Sequence, residues 1–163
     1  MALVDANDKT VELLDAIGDT HIALIDAVHG YDVMLEKAEP EIKSVLHKTR
    51  QETERQAEEL AGFLVAEGRH PSDDGSFMST VHEGVVRTRA LFTDLDEDVL
   101  PAVSDGERRI VSSYDDAIET LANNMKSMPR DTFDAAHTLL IRHRTEIEDI
   151  VRRIDARHRE LEV

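Results

Sequence analysis

Five residues of this chain combine the right side-chain chemistry with positions on helical stripes or at their flanks from which they could share an ion: His21, Glu107 and His143 on the stripes, Glu52 and Glu146 beside them. Carboxylate oxygens mixed with imidazole nitrogens suit iron or manganese. Helical cores that hold two such ions use a Glu from each of two helices and a Glu-x-x-His from each of the other two, because residues three apart share a face. The sequence meets this pattern only in part. Its single Glu-x-x-His, Glu67-Gly68-Arg69-His70, falls at a helix end before Pro71. Glu52-Thr53-Glu54-Arg55 puts an arginine where a ligand should stand, His143-Arg144-Thr145-Glu146 runs in reverse order, and His21 replaces a carboxylate. Two readings follow. The five hold one ion or an irregular pair, or else His143, Tyr114, Gln56 and Glu107 form a buried hydrogen-bonded layer that fixes helix register. Asp26 with His29 and Asp134 with His137 are also ligand-like pairs, but both fall on outer faces and are expected at the surface.

The elements that position these groups are helices. From near Asn7 to Glu39, the steps of three and four through Leu14, Ile17, His21, Leu24, Val28, Tyr31, Leu35 and Ala38 define one helical face. Pro40 can open the next helix, about Glu41 to Glu67, with Ile42, Leu46, Thr49, Thr53, Gln56, Leu60 and Phe63 inward. Gly68 to Gly75 is the strongest loop signal, and Ser76 to about Phe92 reads as a shorter crossover helix. A third long helix runs from about Asp96 to Asn124 through Leu100, Val103, Glu107, Ile110, Tyr114, Ala117 and Leu121. Asp131 is the expected cap of the last, which carries Phe133, Ala136, Leu140, His143, Ile147, Ile150 and Ile154.

Two short-loop hairpins joined by a long connection, about residues 68–95, predict an all-α, ferritin-like antiparallel four-helix bundle with a short helix in the crossover, and one domain over residues 1–163. Matching positions from the hairpin turns brings His21 level with Gln56 and His143 beside Tyr114 and Ser112. Glu107 then lies roughly 7 Å further along the axis, where Glu52 and Glu146 approach. Arg152, Arg153, Arg157 and Arg159 are expected as the basic end of the last helix, complementing its dipole.

Composition excludes other classes. The 163 residues carry a net charge of −16, which repels phosphate backbones and anionic lipid, so neither nucleic acid nor membrane is expected as a partner. There is no cysteine, hence no thiol nucleophile, disulfide or thiolate metal site. No serine lies in a Gly-x-Ser-x-Gly elbow and no phosphate-binding Gly-rich loop is present. With no basic and apolar leader pattern at the amino terminus, a cytoplasmic location is expected.

Asp26-x-x-x-Gly30-Tyr31, Glu59-Leu60, Gly75-Ser76-x-x-x-x-Val81-His82, Gly106-Glu107, Tyr114-x-x-Ala117-Ile118 and His143-x-x-x-Ile147 occur in that order. Together they resemble a family of uncharacterised bacterial four-helix proteins of the ferritin-like superfamily, over roughly His21 to Arg153. The resemblance implies a ferritin-like bundle, with Gly75-Ser76 capping the crossover helix and Glu107 at the place of a diiron relative's third-helix carboxylate. It also implies an association with stress. The resulting expectation is a ferritin-like scaffold with a degenerate metal site, acting as a binding or structural component without a required cofactor. Two alternatives stand beside it: an iron- or manganese-binding protein with ferroxidase-like activity, and a helix-surface interaction module forming a homo-oligomer, most simply a dimer.

Overall fold

A computed structural model of the chain describes residues 2–71 and 94–163, with side chains from Thr10 onward. The expected crossover helix, Ser76 to Phe92, lies outside the described residues. Those described form four long helices, α1 (Ala2–Lys37), α2 (Pro40–Ala66), α3 (Leu100–Asn123) and α4 (Arg130–Leu161), with 3-10 turns at Glu97–Val99 and Met125–Ser127. None of these helices is long and apolar enough to cross a membrane.

Local chemistry sets the helix ends. Glu39 is extended, which its neighbour Pro40 favours, and Pro40 then opens α2 where a missing N–H costs nothing. At the other end, Gly68 adopts φ +81, a left-handed conformation that a side chain would strain. Its N–H donates to the Val65 carbonyl at 3.0 Å and that of Arg69 to Leu64 at 2.8 Å, so the last carbonyls of α2 are satisfied. Asp96 accepts from the Asp98 N–H and caps the turn that leads into α3. The expected cap Asp131 lies instead inside the first turn of α4, because Pro129, fixed in an extended conformation, already ends the preceding loop. There its charge favours the helix N-terminus without capping it.

Packing follows the stripes. α1 packs on α2 and α3, and α4 on α3 and α2. Leu95 exchanges backbone hydrogen bonds with the α1–α2 turn: its N–H donates to Lys37 and its carbonyl accepts from Glu39. The start of α3 is thereby tied to the same end of the bundle as the start of α2. The ion pair of Arg69 with Asp15 ties the end of α2 to the early part of α1. All neighbouring helices therefore run antiparallel, and the end of α2 and the start of α3 lie at opposite ends of the bundle. The core is one cluster of mostly aliphatic side chains stacked along this length, including Leu13, Ile17, Leu24, Ile42, Leu60 and Ile147, all fully buried.

Candidate functional site

Between the aliphatic layers the bundle buries two polar clusters, and each begins with a residue that the stripe of its helix turns inward. In the first, Glu107 of α3 is 2% exposed and accepts a hydrogen bond on Oε1 from the Tyr31 hydroxyl of α1. Its Oε2 is buried with no hydrogen-bond partner among the described residues. Burial pushes this carboxyl up to about 7; the Tyr31 hydrogen bond and the charge of Arg153 act against that push, while Glu52 adds to it. Tyr31 is pushed well above the usual phenol range, first by burial and then by the charge of Glu107. Glu52 of α2, facing the same layer, is ion-paired with Arg153 of α4.

The second cluster lies between α2 and α4. His143 is fully buried; its Nδ1 lies 2.8 Å from the Tyr114 hydroxyl and its Nε2 lies 2.8 Å from Glu59 Oε2. Partial burial would raise Glu59, but hydrogen bonds from Arg142, His143 and Arg55 outweigh it and leave the carboxyl at about 2. Glu59 is therefore an acceptor at neutral pH, which places a proton on Nε2. Burial lowers the pKa of His143 against the opposing pull of Glu59, so the ring is neutral. Nδ1 must then accept, and Tyr114 donates to it. Arg55 bridges Glu59 at 2.8 Å and Glu146 at 2.7 Å, and Gln56 donates to Glu146 at 3.1 Å. Those hydrogen bonds outweigh the effect of burial on Glu146 and hold it below its usual range.

The sequence-predicted ligands are thus distributed over separate arrangements. Glu52 and Glu107 share a layer, as the stripes indicate. Glu146 joins His143, Gln56 and Glu59 in the other layer, because its side chain is drawn to Arg55. His143 does meet Tyr114, whereas Ser112 is exposed. His21 is buried on α1 and lines two cavities, one toward Arg50 and Glu54 and one toward Arg69 and His70. Among the described residues no three His, Asp or Glu side chains gather in a set able to hold a metal ion. The expected single layer of His143, Tyr114, Gln56 and Glu107 is divided in the same way, since Glu107 takes its hydrogen bond from Tyr31.

Three residues take parts that the sequence alone did not assign to them. Arg153 was expected at a solvated helix end, yet it flanks the Ile150 and Ile154 stripe and turns in to meet Glu52; an arginine beside a stripe and opposite a carboxylate is the signal for it. Glu59 has the same relation to Arg142 and Arg55. Asp26, expected on an outer face, is half-buried, with Oδ1 fully buried and without a partner among the described residues. Asp134 and His137 are exposed, as expected.

The model of a domain of unknown function, DUF2383, matches residues 12–120, well over half of the chain. The chain belongs to the DUF2383 family. Neither the curated proteins nor the solved structures gave a match. The DUF2383 match covers Tyr31, Glu52, Glu59, Glu107 and Tyr114, while their α4 partners Arg142, His143, Glu146 and Arg153 lie beyond it. Each polar cluster is therefore built by helices inside the family match closing on one outside it.

Proposed function

We propose that this protein is a ferritin-like bundle acting as a binding or structural component, in which the inner carboxylates serve as cross-helix ties in place of a dinuclear metal centre. The observation that carries this reading is the company those carboxylates keep. Glu52 is paired with Arg153, Glu146 with Arg55 and Glu59 with Arg142. An arginine at pH 7 is always charged and cannot become a ligand, so it satisfies the carboxylate and repels a cation from the same site. Both ring nitrogens of His143 are likewise committed. The ferritin-like assignment is supported by the parallel start of α2 and α3 at one end, which a long crossover requires.

Elemental analysis of protein purified without chelator tests the reading, with Glu107→Ala analysed alongside. The expected result is substoichiometric iron, manganese and zinc in both. Near-stoichiometric metal that is lost in the variant would overturn it in favour of the ferroxidase-like alternative.

A further inference from the structure

The two sides of the bundle are closed differently. Where α2 meets α4, arginine–carboxylate pairs fill the interface. Where α1 meets α3, a cavity of about 560 Å³ remains. Its lining includes small residues from both helices, Ala23, Ala27 and Gly30 on α1 and Ala102 and Gly106 on α3, together with Met34, Val99 and Ile110. A Cβ built at Gly30 or Gly106 would meet nothing within 4 Å, so the space is real at the backbone level.

Two carboxylates line this same cavity, Asp26 and Glu107. Each has one buried oxygen with no hydrogen-bond partner among the described residues, and Glu107 is 2% exposed. A buried carboxylate oxygen without a donor is costly, and a water, an ion or a ligand can supply the missing partner. Asp26 lies five positions before Tyr31, the partner of Glu107, which is roughly 7.5 Å along α1. Asp26 and the Tyr31 that holds Glu107 thus stand about a turn and a half apart along α1, on the wall of one groove. The positive group on the lining, Arg109, is exposed and can remain solvated at the rim.

We propose that the α1–α3 cavity binds an aliphatic amine cation, its hydrocarbon chain lying against the alanines, glycines and Met34 and its ammonium group donating to Glu107 Oε2 or, for a diamine, to Glu107 and Asp26 together. A bare metal ion would leave the apolar walls unused, and a neutral hydrocarbon would leave both oxygens unsatisfied. The net charge of −16 raises the local concentration of any such cation. The inference gives a ligand class to the binding role proposed above and rests on that role only for its purpose. It stands or falls separately from the metal analysis, because Asp26 and the small residues of the groove take no part in the arginine-tied clusters and amine binding is read without any metal.

The test is calorimetric titration of the full chain with cadaverine, hexylamine and hexanol at pH 8 and low ionic strength. Saturable one-to-one binding is expected for the two amines and none for hexanol. Glu107→Gln and Asp26→Asn should each weaken cadaverine by about tenfold or more, the loss expected for one charged partner, whereas Glu119→Gln, at an exposed site, should leave it unchanged. Gly106→Leu should fill the groove and abolish binding while retaining the helical circular dichroism of the parent. Glu107→Gln and Asp26→Asn variants that bind cadaverine as tightly as the parent, or non-saturable uptake that Glu119→Gln lowers equally, would overturn the proposal. So would amine-independent dimerisation lost in Gly106→Leu, which would make a second copy of the chain the occupant.

Discussion

Glu107 is the group whose burial should be most visible in the stability of the protein. Its carboxyl is raised from 4.5 to about 7, so between these values the folded protein binds a proton that the unfolded chain does not. The folded state is then favoured at low pH, and the advantage is lost as pH rises through about 7. At about 1.4 kcal/mol per tenfold change in proton affinity, the full swing is about 3 kcal/mol. His143, whose folded pKa is lowered, contributes in the opposite sense as pH rises through 6.5, so the wild-type curve alone mixes the two. Glu107→Gln separates them. A glutamine keeps the acceptor for Tyr31 and resembles the protonated acid, but it cannot ionise. Urea unfolding of both proteins between pH 5 and pH 8 should show the variant gaining on the wild type by about 3 kcal/mol as pH rises, whatever the offset at pH 5. That offset carries the cost of burying an amide whose N–H groups find no acceptor, about 1–3 kcal/mol. A stability difference independent of pH would refute the reasoning, because it would mean that Glu107 ionises as freely in the fold as in the unfolded chain.

Three further outcomes follow from the same geometry. Tyr114→Phe removes the donor to His143 Nδ1 and leaves a buried acceptor unpaired; chemical denaturation should show a loss of about 1–3 kcal/mol, and His143→Phe in the same background should cost much less than it does alone. Glu59 has its carboxyl held at about 2, so the stability it lends is fully present above 4.5 and lost as pH falls through about 2. Acid titration of the fold should therefore be shallower in Glu59→Gln than in the parent. Gly30→Ala and Gly106→Ala place a methyl in open space on helical backbone; each should raise stability by about 0.5–1 kcal/mol through the helix-propensity difference, and a thermal melt that falls instead would show that the cavity does not accept the added carbon.

How much of this was legible in the sequence depends on what each residue type records. The inward stripe was most legible on α3, where every residue from Leu100 through Leu121 at the expected steps is buried and Ser104 joins them, because a single apolar face at period 3.6 admits one orientation. On α1 and α2 the stripe was too narrow: Leu13, Val33, Val45 and Leu64 are buried as well, because steps of three and four follow one row of the inward face and leave out the adjoining rows that the core also covers. The candidate site was half legible. Periodicity shows that Glu107 and His143 point inward, but it is silent on which long side chain reaches them from the next helix. Tyr31 counted as apolar until its hydroxyl met Glu107, and Arg153 counted as solvated until its charge met Glu52 across the bundle. Both have an apolar body and a polar tip, so their position on a helix fixes where the stem lies and leaves the destination of the tip to the partner helix. Carboxylates that look alike in the sequence are thus separated only by packing. Those on the α2–α4 side meet arginines and become ties, while Asp26 and Glu107, on the side of the small residues, keep an oxygen each for something else.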